Sequence, residues 1–243
     1  LGNDLIETRP DGAFTLLGRT DRIVKIEEKR LSLTALEKAC VKSGYLLEAK
    51  AFLLPKTQEL AVVAVPSGSS RSLLKDKWQF IKAIERTLRK EFEPVLLPHR
   101  WRFEPVMPTN SQSKYTIESL AALFDSRHPE PADWDLSRNH LSLFFKAKGK
   151  MPYFDGHFPD WPIMPGVAQV QIAVEESARY LKTPLEVSSV TNLKFMAIIR
   201  PETELKLTVD FDPQTLRLHF SFNSPDGRTR YSTGTVHFLQ KDA

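Results

Sequence analysis

A chain of 243 residues is longer than the usual single domain of about 100 to 150, so two compact units are expected. Apolar residues at 41% and charged residues at 26% exclude a disordered chain. The net charge of +4 resides in residues 1–125, with 20 Lys/Arg against 16 Asp/Glu, whereas residues 126–243 carry 14 of each. Those cations form no aromatic-interleaved stripe, which argues against nucleic-acid binding and for a solvated surface or a patch for an acidic protein.

Cys40 is the single cysteine, so no intrachain disulfide is possible and a reducing, cytoplasmic setting is expected. No metal-ligand spacing is present, and no run approaches the ~18 apolar residues of a membrane span. The opening LGNDLIETRP has neither a cationic nor an apolar leader segment and begins in a strand-like pattern, as the middle of a longer protein would.

In chain order, residues 4–17 read as a hairpin in which LIET and FTLL flank the turn residues Pro10, Asp11 and Gly12. Helical patterning follows over Leu33 to Ser43, short strands over Glu48 to Leu54 and Leu60 to Val65, and a long amphipathic helix over Ser72 to Phe92. In that helix Leu74, Trp78, Ile81, Ile84/Glu85 and Leu88 recur at spacings of three and four. Residues 1–124 are therefore expected to form one α+β unit. SRHPEPADW sets two prolines among polar residues, so 125–135 is expected as a linker.

The second unit, 136–243, reads as a strand near His140 to Lys148, a loop, a helix near Gly166 to Leu181 and strands near 188–199, 203–211, 215–223 and 229–239. LKLTVDF and LRLHFSF alternate clearly, and SPDG supplies a hairpin turn. An α+β architecture follows, an antiparallel sheet wrapped around one buried helix. His140, His219 and His237 alternate with apolar neighbours and are read as sheet-surface residues.

The stretch GHFPDWPIMPGV, residues 156–167, holds His157 in a Gly/Pro-rich loop directly before a helix that starts at Gly166. A helix start carries partial positive charge that polarises a thioester carbonyl and acidifies its α-carbon, and a neutral histidine can take the proton. Asp155, Asp160 and Trp161 are read as loop packing and caps, or as the lining of an acyl entrance. This stretch resembles the loop and central helix of the hot-dog 3-hydroxyacyl-carrier-protein dehydratases, and NLKFMAIIRPETEL and STGTVHF resemble their later strands. The resemblance implies that His157 is the catalytic histidine and Gly166 the carbonyl-polarising backbone donor. It implies no cofactor for this unit, and it implies a homodimer whose partner is an acyl carrier protein or an acyl-CoA thioester.

One departure is informative. Fourteen positions after the histidine the family places an acid, and here stands Gln171, while Glu175 lies four residues further along the same helix face. The acid and the amide are read as exchanged; the competing reading of Glu175 is an exposed ion pair with Arg179 at i+4. A hot-dog thioesterase and a non-catalytic carrier-docking module are the alternative functions.

GRTDRIVKIEEKRLSL (18–33) and PTNSQSKYTIESL (108–120) resemble the small C-terminal lobe of the acyl-adenylating enzymes. The resemblance implies ribose contacts from Asp4 and Arg19, a hinge at Asp21, and Lys114 as the lysine reaching the carboxylate and α-phosphate. Glu28 and Ser113 stand where that family has glycine. ATP or AMP is expected to bind only together with the large N-terminal lobe, so the lobe alone is expected to be inactive. The pairing of a ligase lobe with a dehydratase resembles aryl polyene and unusual fatty-acid biosynthesis.

Overall fold

The computed structural model describes residues 4–8, 14–19, 22–109, 115–156 and 160–240. The chain divides into two compact units, Leu1–Ala121 and Ala122–Ala243.

In the first unit, β1 (Asp4–Thr8) and β2 (Phe14–Arg19) form the expected hairpin; its turn residues Pro10, Asp11 and Gly12 lie outside the described residues. A second hairpin joins β3 (Ile23–Ile26) to β4 (Lys29–Ser32), and its turn places Glu27 in the left-handed region at φ 51°. The Ser32 side chain then accepts from Ala35 N and starts α1 (Leu33–Lys42).

A three-stranded sheet follows. β5 (Leu46–Leu53) runs antiparallel to β6 (Leu60–Pro66), whose continuous LAVVA run is buried, and β7 (Arg100–Phe103) lies parallel to β6 on its other side. Between β6 and β7, α2 (Lys77–Leu88) buries Phe80, Ile84 and Leu88. The long helix expected over 72–92 is shorter because Arg71–Asp76 forms a 3-10 turn and Asp76 caps the helix by accepting from Gln79 N. Trp78, expected on the apolar face, is exposed; Phe80 takes that place. The short α3 (Ile117–Ala122) ends the unit.

In the second unit, six antiparallel strands form one sheet in the order β10-β13-β12-β11-β9-β8. The strands are β8 (Pro131–Leu136), β9 (His140–Lys146), β10 (Val187–Phe195), β11 (Glu204–Asp212), β12 (Arg217–Asn223) and β13 (Arg230–Phe238). Against β9, β11 and β13 packs α4 (Gly166–Leu181), with Ala168, Ile172, Ala173, Val174 and Tyr180 buried. This is the α+β hot-dog arrangement, one helix against a curved antiparallel sheet.

The segment expected as a linker is corrected at its second half. Pro131–Leu136 pairs with β9 as an edge strand, and Trp134 is buried. Proline is tolerated there because it begins the strand at the sheet edge, where its missing N–H disturbs no ladder.

Candidate active site

The site loop of the second unit starts with a 3-10 turn over Pro152–Phe154 that buries Met151 and Phe154. Gly156 then takes φ 72°, a left-handed value that suits glycine. His157 lies outside the described residues. Beyond it, Trp161 is exposed, with the Arg200 guanidinium 4.5 Å from its ring centroid, and Met164 N donates to Ile199 O at 2.9 Å. The loop is thereby tied to the chain leaving β10. Asp155 and Asp160 are exposed.

Pro165 is the N-cap of α4 and has no side-chain acceptor to offer, so the first-turn N–H groups are not capped by their own N-cap residue. Val167 in that turn is 76% exposed. Gly166 leaves room for the ring of Phe195, with which a Cβ there would collide. A helix start with its partial positive charge thus lies beside an aromatic ring at the end of β10.

One turn into the helix, Gln171 is exposed and its Nε2 donates to Glu175 Oε1 at 2.8 Å. The expected exchange partners are therefore in direct contact. The i+4 ion pair of Glu175 with Arg179 is replaced by another: Arg179 Nη1 donates to Glu176 Oε2 at 3.2 Å, three residues back. Glu176 is fully buried, and its Oε1 has no hydrogen-bond partner among the described residues. Arg179 Nη2 lies 2.7 Å from Nδ1 of His128, which in turn is 3.8 Å from Glu175 Oε2 and 3.7 Å from Glu176 Oε1. The buried hydroxyl of Tyr153 has no partner among the described residues, and burial, with the charge of Glu175 next, pushes its phenol up to about 12. Asp125, bonded by Arg127, is held below the usual carboxylate range.

Glu176, His128 and Tyr153 escape a reading of the motif. Glu176 had a signal: it continues the stripe Ala168, Ile172, Glu176, Tyr180 at helical spacing, which forecasts a buried position. His128 had none, because contacts between distant segments leave no periodicity.

The other histidines lie on strands. His140 Nδ1 is 2.7 Å from Asp210 Oδ1 and its Nε2 3.2 Å from Ser142 Oγ; His219 and His237 meet Thr235 and Thr191. The Ser-His-Asp order at His140 does not make a hydrolytic site, because Ser142 is 4% exposed and its strand is paired on both sides.

In the first unit, the register sets Asp4 opposite Arg19 across β1 and β2, which brings two of the expected nucleotide contacts together at the level of backbone. Asp21 and Lys114 lie outside the described residues. Next to Lys114, the ring of Tyr115 packs under Lys50 Nζ at 4.7 Å. Glu37 is buried among Arg22, Lys50 and the Ala51 N–H, a structural use of charge. Among the described residues no group of His, Cys, Asp and Glu is arranged to hold a metal, and no helix is long and apolar enough to cross a membrane.

Residues 134–235 match the ApeI-like family, described as ApeI dehydratase. A 3-hydroxyacyl-[acyl-carrier-protein] dehydratase FabZ from Caulobacter sp. (strain K31) is 32% identical over 68 residues, 24% of this chain and 42% of that protein. The non-canonical nonribosomal peptide synthetase FrzA of Cladobotryum sp. is 29% identical over 153 residues, 58% of this chain and 14% of its own length. This chain thus spans only a small part of that synthetase. The solved dehydratase heterocomplex ApeI:P from Xenorhabdus doucetiae is similar at 23% identity and a TM-score of 0.42, covering 46% of this chain and 98% of that one. Residues 134–235 thus match a dehydratase family model, and 58% of the chain is similar to part of a nonribosomal peptide synthetase.

Proposed function

We propose that the second unit dehydrates 3-hydroxyacyl thioesters carried on an acyl carrier protein, with His157 as base and Glu175 as acid. His157 takes the α-proton while the thioester carbonyl oxygen is polarised by the N–H groups at the start of α4. The C–O bond at the β-carbon then breaks, and the departing hydroxyl takes a proton from the Glu175 carboxyl and leaves as water. An α,β-enoyl thioester remains, and the proton on His157 returns through solvent to Glu175. The Gln171 amide, as a donor, orients the carboxyl.

The observation that carries this reading is the 2.8 Å contact between Gln171 and Glu175, which ties the only acid of that pair to the position where relatives carry theirs. The match to the dehydratase family supports it. For the first unit we propose a contribution to ATP or AMP binding by Asp4, Arg19 and Lys114 only together with a large nucleotide-binding lobe. The setting is acyl-chain biosynthesis of the polyene or fatty-acid type.

The test is His157→Ala in the full chain, assayed for interconversion of enoyl and 3-hydroxyacyl thioesters by the absorbance of the conjugated thioester. Loss of about 10² to 10⁴ in rate with an unchanged melting temperature is expected. Near-normal hydration in that variant would remove the assignment.

A further inference from the structure

His128 belongs to no motif, yet its ring sits against the C-terminal half of α4, beside three charged groups. Nδ1 is 2.7 Å from Arg179 Nη2, 3.8 Å from Glu175 Oε2 and 3.7 Å from Glu176 Oε1. A guanidinium only donates, so Nδ1 is the acceptor of that bond and the ring proton lies on Nε2. The same guanidinium donates through Nη1 to the fully buried Glu176. Arg179 is therefore gripped from two sides, by a carboxylate three residues back and by a ring from outside the helix.

The consequence falls on Glu175. It lies four residues before Arg179, the spacing at which a helix ion pair forms readily, but its Oε1 accepts from Gln171. A carboxylate joined to a guanidinium is held ionised, and an ionised carboxylate has no proton to give. We propose that His128 is a positioning residue, which by accepting from Arg179 draws the guanidinium onto Glu176 and away from Glu175. The Glu175 carboxyl then stays on Gln171, clear of the guanidinium. This rests on the reading of Glu175 as the helix acid. Asp125, Arg127 and Tyr153 are the further ionisable groups of the neighbourhood and interact with the cluster electrostatically.

Asparagine and leucine have nearly the same shape, but only asparagine offers an oxygen that can accept from Arg179 in place of Nδ1. The full chain is therefore compared as wild type, His128→Asn, His128→Leu and Glu175→Gln, with crotonyl-CoA hydration as probe and thermal melting as the control for folding. His128→Asn should keep kcat within about threefold of wild type, whereas His128→Leu should lose about tenfold or more in kcat with KM little changed. Wild-type kcat in His128→Leu, with Glu175→Gln inactive, would overturn the role of His128 and leave the acid in place. Full activity in Glu175→Gln would instead remove the acid itself. If His128→Leu does not fold, His128→Asn still decides: a folded asparagine variant with collapsed kcat contradicts the acceptor role.

Discussion

At the scale of single residues, the site depends on which acid the helix presents, and α4 presents two in succession with opposite fates. Glu175 is partly open and bonded to Gln171; Glu176 is fully buried and bonded to Arg179. Substitution separates them. Glu175→Gln should cost activity about as severely as loss of His157 and leave stability within about 0.5 kcal/mol, because a surface-accessible side chain is exchanged for its isostere. Glu176→Ala should instead cost about 3 kcal/mol of stability by removing the buried carboxylate to which Arg179 donates. Chemical denaturation of the two variants beside the hydration assay reads both. Gln171→Glu should be tolerated, since it restores the arrangement of related dehydratases. In the first unit, burial, and after it the charge of Glu37, pushes the Cys40 thiol up to about 12. It should therefore resist iodoacetamide at neutral pH in the folded chain and react once the chain is unfolded, as mass spectrometry would show.

At the scale of elements, α4 is fixed by its two ends and by the sheet it crosses. Gly166 lets Phe195 close on the first turn, so Gly166→Ala must displace that ring and should lower stability by about 1 to 3 kcal/mol. The double variant with Phe195→Ala should recover part of that loss, a coupling that calorimetry detects. Tyr153 gives a pH-dependent counterpart. Its folded value, raised to about 12, stands above that of a free tyrosine near 10. The folded state then holds the proton that the unfolded chain releases, so this contribution is intact below pH ~10 and lost as pH rises toward 12. Tyr153→Phe should flatten that alkaline loss in denaturation profiles without destabilising the chain at pH 7, because the hydroxyl has no bonding partner among the described residues.

The elements also mark how far the sequence could be read. The strands β9, β11, β12 and β13 and the helix α4 were legible, because alternation and helical spacing record which face is buried. β8 was not, because a prolyl, acidic edge strand has the composition of a linker; only pairing with β9 makes it a strand. Similarly, the loop and helix of the site were legible as a contiguous motif, whereas His128 reaches the site from 47 residues before Glu175 and leaves no local trace.

At the scale of the molecule, the two margins of the sheet differ. β8 carries Pro131, Asp133 and Asp135, features that discourage further strand pairing. β10 is exposed along its length, with Leu193 and Phe195 continuing into the exposed Met196 and Ile198. Such an apolar edge favours a second copy, so light scattering should find a homodimer of twice 27.7 kDa at micromolar concentration; a stable monomer would contradict this. What happens to a thioester at α4 is read by incubating the chain with a 3-hydroxyacyl carrier protein and weighing the product. Loss of one water with the acyl chain still attached is expected, abolished in His157→Ala. Release of the whole acyl chain, or a carrier protein returned unchanged, would contradict it.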